Sequence, residues 1–323
     1  MDNFVIAKWL KSPHLQTIGS VLMPRPIRFF PSKDRRFQLP DGSQLVGECT
    51  WQAEPTTAPT LVIIAGLNGS TVSPYVRGTT AKAFTRGFNV VRVNLRNGGG
   101  SEKYSRTLSH AGQSADIRLV IEELINKDSL PKIGLMGFSY GGNACLKAVG
   151  EWGEDAPKEL IGAVGISPLI DLAAADKSVD NTAPGIYRAL MLYGQMSSLR
   201  ARNRLFPGMY DAKAIKRIKT LGDYDRFCAP HNGFNDAHDY HVKASARQFL
   251  PSIAVPTLII QSADDVVIPV RSFEGLDDNP NIELVITQGG GHGGFISQSK
   301  NGDPDHHWAE NRAIEFLWDL AIN

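Results

Sequence analysis

The chain has 323 residues, 42% hydrophobic and 21% charged, an ordinary balance for a globular protein with a sizeable core. Its 34 basic and 33 acidic side chains leave a net charge of +1, which gives no general attraction to nucleic acid or to an acidic partner. Cys49, Cys145 and Cys228 are odd in number and widely spaced, which argues against a disulfide framework or a zinc finger and suggests reduced thiols in the cytoplasm. The N-terminus lacks the pattern of a signal peptide, and no apolar run is long enough to predict a spanning helix.

In chain order, the first 35 or so residues, with prolines at 13, 24, 26 and 31, read as irregular. FQLPDGSQLVGECTW reads as a hairpin with Asp41-Gly42 at its turn. TLVIIAG (60–66) is a continuous apolar run, as a strand buried on both faces should be. A helix is expected over 73–87, a strand over 89–95, and an amphipathic helix over 114–127 that Ser114 could cap. KIGLMGF (132–138) reads as a strand, YGGNACLKAVGEW (140–152) as a helix, and LIGAVGISP (160–168) as a strand. This alternation predicts an α/β chain with a mostly parallel central sheet flanked by helices.

The rhythm then breaks. Residues 170–245 or so contain helical patches and no convincing strand, so they read as a helical insertion in one domain spanning 1–323. It resumes with VPTLIIQSADDVVIP (255–269), a strand ending in two aspartates, then NIELVITQGGGHGG (281–294), and a terminal amphipathic helix over 306–322.

Gly137-Phe138-Ser139-Tyr140-Gly141 fits G-x-S-x-G where a buried strand turns into a helix. A serine there is lifted from the strand on a tight turn with no room for bulky neighbours. The Tyr140 N–H, in the first turn of the helix, is free to serve an oxyanion. A serine hydroxyl needs a base. Of the eight histidines, only His292 lies in a glycine-rich loop after the last expected strand. The base needs an acid, and Asp264 and Asp265 are the candidates. They are adjacent on an extended chain and point to opposite sides, so only one can serve. Serine, acid, histidine is the order of an α/β-hydrolase, each at a strand's C-terminal end. The Leu67 N–H, in the loop after TLVIIA, is the candidate second oxyanion donor.

The chain resembles the YheT-like branch of the α/β-hydrolases, related to the eukaryotic ABHD hydrolases. The likeness runs through PHLQTI (13–18), GLNGS (66–70), NLRNGGGSEKYSRTLSHAGQSAD (94–116), GFSYGGN, DYDRFCAPHNGFNDAHDYHVKAS (223–245) and SADDVVIP. It implies the α/β-hydrolase fold with a helical cap at 170–245. It also implies Ser139, one aspartate of the pair and His292 as a catalytic triad, and Pro269 favours Asp265. Hydrolysis of carboxylic esters with medium-chain acyl or lipid groups is implied, and acyl transfer to an alcohol is known among similar proteins. Ala65-Gly66 stands where the family usually has His-Gly, and Tyr240-His241 where it often has a tyrosine pair.

The expected function is therefore a serine esterase acting through an acyl-enzyme on a small acyl ester, with no cofactor and no metal. An acyltransferase and a non-catalytic binding protein on the same scaffold are the alternatives. Within the insertion, Leu190, Met191, Leu192 and Met196 offer flexible apolar surface, with Met191 and Met196 as candidate substrate contacts. Arg200, Arg202, Arg204, Lys213, Lys216, Arg217 and Lys219 read as a solvated basic face, or one that attracts anionic lipid or an anionic substrate. His238 and His241, with the cluster Asp303, Asp305, His306 and His307, are possible metal ligands, and Gly98-Gly99-Gly100 is a possible phosphate loop. A polar helix face and a flexible loop account for them better. His110 and Asp116 read as structural hydrogen-bonding residues.

Overall fold

The computed structural model describes residues 4–23, 25, 28–181, 185–276, 278–298 and 302–323. The hairpin forms as β1 (Lys33–Gln38) and β2 (Gln44–Thr50), antiparallel with Phe37 opposite Leu45. The strands that follow are β3 (Thr60–Ile64), β4 (Asn89–Val93), β5 (Ile133–Phe138), β6 (Leu160–Ile166), β7 (Thr257–Ser262) and β8 (Ile282–Thr287). They make one eight-stranded sheet in the order β1-β2-β4-β3-β5-β6-β7-β8, antiparallel through β1, β2 and β4 and parallel beyond. The apolar runs are explained by cover on both faces. Val62 and Ile64 face one core with helices α3 (Ser114–Asp128) and α4 (Tyr140–Trp152). Leu61 and Ile63 face another with α2 (Pro74–Arg86) and α10 (Trp308–Ile322).

Two local expectations fail. The N-terminal segment is not irregular throughout: α1 spans Pro13–Leu22, started by a proline whose fixed φ suits the first helical turn. Its buried residues are Gln16, Gly19 and Ser20, whereas Leu15, Ile18, Val21 and Leu22 are exposed, so the helix docks by its polar and small face. Ser114 does not cap α3. Gln113 occupies the cap position, and the Ser114 hydroxyl donates to the Glu151 carboxylate at 2.5 Å.

Between β6 and β7 the chain adds α5 (Leu172–Asn181), α6 (Gly185–Leu205), α7 (Ala212–Arg217), α8 (Leu221–His231) and α9 (Ala237–Ala244). These helices cover the C-terminal edge of the parallel strands. Met196, Leu199, Tyr210, Ile215 and Ile218 form a small core of their own.

Arg202 is not part of a solvated basic face, because it is fully buried. Its guanidinium donates to Tyr210 Oη, Asn97 Oδ1 and the carbonyls of Glu102, Ser105 and Arg106, fastening α6 to the loop after β4. A buried charge is tolerated when its donors are satisfied in this way.

Candidate active site

β5 ends at Phe138 and α4 starts at Tyr140, so Ser139 alone makes the turn, with φ 50° and ψ −114°. A side-chain-bearing residue is strained there. The strain is held by backbone bonds, from Ser139 N–H to the Ile166 carbonyl at 2.9 Å and from Asn143 N–H to the Ser139 carbonyl at 3.0 Å. The flanking glycines are steric necessities. A Cβ on Gly137 would collide with the Gly141 carbonyl, and one on Gly141 with the Ala65 carbonyl. Asn143, fully buried, donates to the carbonyls of Ala111 and Ala244 and accepts from Ala246 N–H. It therefore ties the start of α4 to the end of the insertion.

His292 reaches the serine from the loop after β8. Its Nε2 lies 2.9 Å from Ser139 Oγ, and its Nδ1 lies 2.9 Å from Asp265 Oδ2. Of the aspartate pair, Asp265 is the partner. Its side chain is 0% exposed against 14% for His292, so the pair is shielded from water. Asp265 Oδ1 also accepts the N–H groups of Val267 and Ile268 at 2.8 and 2.9 Å, which fixes the carboxylate. Asp264 points the other way, accepting from Ser262 Oγ and from Gly291 N–H, and thereby braces the histidine loop.

The turn after β3 closes with Gly69 N–H donating to the Gly66 carbonyl at 2.9 Å, and Asn68 adopts a left-handed φ of 58° within it. Tyr75, on α2, accepts Gly66 N–H at 2.9 Å and props the turn from below. A Cβ on Gly66 would lie 3.3 Å from Ser139 Cβ, so the turn runs directly beside the serine. The N–H groups of Leu67 and Tyr140 donate to no protein acceptor among the described residues. Leu67 and Tyr140 line the same cavity as Ser139, so both donors are available to a bound ligand.

A narrow cavity of about 70 Å³ opens above Ser139. Leu67, Leu169, Leu172, Val179, Met191 and Leu221 supply apolar wall. Met196 does not reach it; that side chain is 4% exposed and packs in the insertion's own core. The lining also holds polar side chains, among them His110, Asp176 and Asp225. Burial, aided by the charges of Arg96 and Lys147, holds the His110 imidazole down to about 3, so it is neutral. Its Nδ1 has no partner among the described residues. Burial alone would also lower His241, but its hydrogen bond to Asp225 at 2.8 Å, with Asp176 and Asp171 nearby, raises it.

The other groups singled out in the sequence fall elsewhere. Asp116 forms a two-point ion pair with Arg96 at 2.6 and 2.8 Å. Asp303 pairs with Arg312 and Asp305 with Lys82. His241 converges not with His238 but with Asp176 and Asp225, their ligand atoms lying within 4.8 Å of one another. Gly98 lies near the Gly69 carbonyl, at the edge of the site. The three cysteines are buried and unpaired, and among the described residues no helix is long and apolar enough to cross a membrane. Sequence reasoning missed Tyr75 and the service of Asn143, and it gave no role to Thr17, whose hydroxyl accepts His292 N–H at 2.9 Å. The G-G-N and PHLQT stretches carried the signal for the last two.

A parallel sheet with a strained serine after β5, an aspartate after β7 and a histidine after β8 that meet in one hydrogen-bonded chain defines an α/β-hydrolase. Residues 59–298 match the family model of the alpha/beta hydrolase fold. The chain belongs to that family, in its YheT-like branch, and is a hydrolase. It is 30% identical to the protein named "Putative esterase YheT" of Escherichia coli (strain K12), over 98% of this chain and 93% of that one. It is 25% identical to the phospholipase ABHD3 of Homo sapiens over 76% of this chain, which spans 61% of that protein's length. Among solved structures, the Pyrococcus furiosus esterase Pf2001 superposes with a TM-score of 0.59 at 19% identity, over 92% of this chain and 98% of that one. The Pyrococcus horikoshii acylaminoacyl peptidase gives 0.58 at 20% identity, over 94% of this chain and 42% of that one.

Proposed function

We propose that the protein is a serine esterase that cleaves carboxylic esters of short to medium acyl chains through an acyl-enzyme. The observation that carries this reading is the continuous hydrogen-bond chain from Asp265 through His292 to Ser139, with 2.9 Å at each link. In the proposed mechanism His292 Nε2 takes the Ser139 proton as Oγ attacks the ester carbonyl, and Asp265 stabilises the imidazolium. The developing oxyanion lies against the N–H groups of Leu67 and Tyr140. The imidazolium returns the proton to the departing alkoxide, and water activated by His292 releases the acid.

The mostly apolar cavity wall supports an acyl ester over a charged substrate. Its small volume of about 70 Å³ supports short acyl chains, and a longer chain would need the cap helices to shift.

Hydrolysis of p-nitrophenyl esters from acetyl to palmitoyl by wild type and Ser139→Ala tests the reading. Activity lost in the variant, with an optimum at short or medium chains, is expected. No hydrolysis of any ester would favour a binding protein instead. An alkyl ester formed when an alcohol is added would make it an acyltransferase.

A further inference from the structure

Helix α6 is tied to the rest of the protein by hydrogen bonds near its start, in its middle and in its C-terminal half. In its C-terminal half, Arg202 is fastened to the loop after β4. Near its start, Tyr187 Oη lies 3.1 Å from Nδ1 of His14 on α1, the helix whose Thr17 holds His292 N–H. In its middle, Asn68 Nδ2 donates to the Met191 carbonyl at 3.0 Å.

The middle contact is built for close approach. Gly194, in the interior of a 21-residue helix, lies flat against the Asn68 amide. A Cβ on Gly194 would overlap Asn68 Cγ, Nδ2 and Oδ1. Glycine disfavours a helix interior, so its presence here marks the contact. Asn68 in turn follows Leu67, the candidate oxyanion donor, and holds the left-handed position of the turn. The same stretch of α6 presents Met191 and Gln195 to the cavity above Ser139. One side chain thus joins the oxyanion turn to the helix that walls the substrate cavity.

We propose that Asn68 is a positioning residue that locks the oxyanion turn to the seated cap helix, so that Leu67 N–H reaches its working position only when α6 is in place. The proposal rests on the serine-esterase reading above. A small displacement of an oxyanion donor costs rate more than binding, because the donor acts on the charge that develops in the transition state.

Asn68→Gly separates the two jobs of this residue, since glycine keeps the left-handed backbone and removes the clamp. With p-nitrophenyl butyrate, its kcat falls about tenfold to hundredfold while KM stays within about threefold. Gly194→Ala pushes on the same amide from the helix side and lowers kcat in the same way. The double variant is no slower than Asn68→Gly alone, because glycine at 68 leaves room for the new methyl. Asn68→Gly carries the test by itself if Gly194→Ala does not fold. An unchanged kcat in Asn68→Gly, or losses that multiply in the double variant, overturns the clamp. Activity lost in Ser139→Ala but intact in Asn68→Gly sinks the clamp alone, whereas activity surviving Ser139→Ala sinks both readings.

Discussion

The hydroxyl of Thr17 accepts the backbone N–H of His292 at 2.9 Å across a separation of 275 residues, and itself donates to the Pro13 carbonyl at 2.8 Å. Beside it, Gln16 donates to the Ile296 carbonyl at 3.0 Å and accepts Ile296 N–H at 2.7 Å. An N-terminal helix thus grips the histidine loop on both sides of Gly294. Thr17→Val keeps the shape and leaves a part-buried N–H unpaired, a loss of about 1–3 kcal/mol. A roughly tenfold lower kcat and a lower melting temperature are expected, with Thr17→Ser restoring both. Steady-state kinetics on the three forms checks this, and a wild-type kcat in Thr17→Val would separate the helix from the reaction.

Asp264 and Asp265 are adjacent and of the same residue type, yet they do different work. Asp265→Asn removes the group that holds His292 Nδ1–H, and kcat falls by about 10⁴. Asp264→Asn loosens the loop through Gly291 N–H and Ser262, so it lowers the melting temperature more than it lowers kcat. Measuring kcat for both decides the matter. The larger loss in Asp264→Asn would pass the acid role to that residue.

Much of the site was legible because its residues are constrained by chemistry at fixed places in the fold. Gly137 and Gly141 flank a serine that no bulkier pair would allow, and the apolar runs before Ser139 and Asp265 are strands covered on both faces. What was not legible depends on contacts distant in sequence. α1 buries Gln16, Gly19 and Ser20 and exposes Leu15, Ile18, Val21 and Leu22, so its apolar pattern does not point to the face that grips the histidine loop. Met191 and Met196 are equally apolar and five residues apart, and only the packing of α6 decides which one faces the serine. Arg202 sits among other basic residues and looks like them; a pocket made of four distant acceptors sets it apart.

Two histidines give stability opposite pH dependences. His241 is raised above its unfolded value by Asp225, so the stabilisation it brings is complete below about pH 6.5 and is lost as pH rises through the folded value. His110 is lowered to about 3 by burial. Between about pH 6.5 and that value the unfolded imidazole binds a proton that the folded one refuses, so stability falls as pH falls. Melting temperatures from pH 4 to 9 read both effects. His241→Gln flattens the alkaline side, and His110→Phe, which keeps a ring against Phe234 and Tyr240, flattens the acid side. Unchanged profiles in both variants would show that neither group is linked to folding.

Met191 and Met196 lie on one helix with opposite consequences. Met191 forms part of the cavity wall above Ser139, so Met191→Ala enlarges a space of only about 70 Å³. The preferred p-nitrophenyl ester shifts to a longer acyl chain, because the cap helices need to move less to admit it. Met196 is buried among Leu199, Tyr210, Ile215 and Ile218, so Met196→Ala leaves a void there and costs about 2–5 kcal/mol of stability. Its chain-length profile stays that of the wild type. Profiles and denaturant midpoints for the two variants check the distinction. A shifted profile in Met196→Ala with an unshifted one in Met191→Ala would place the acyl chain on the outer side of α6.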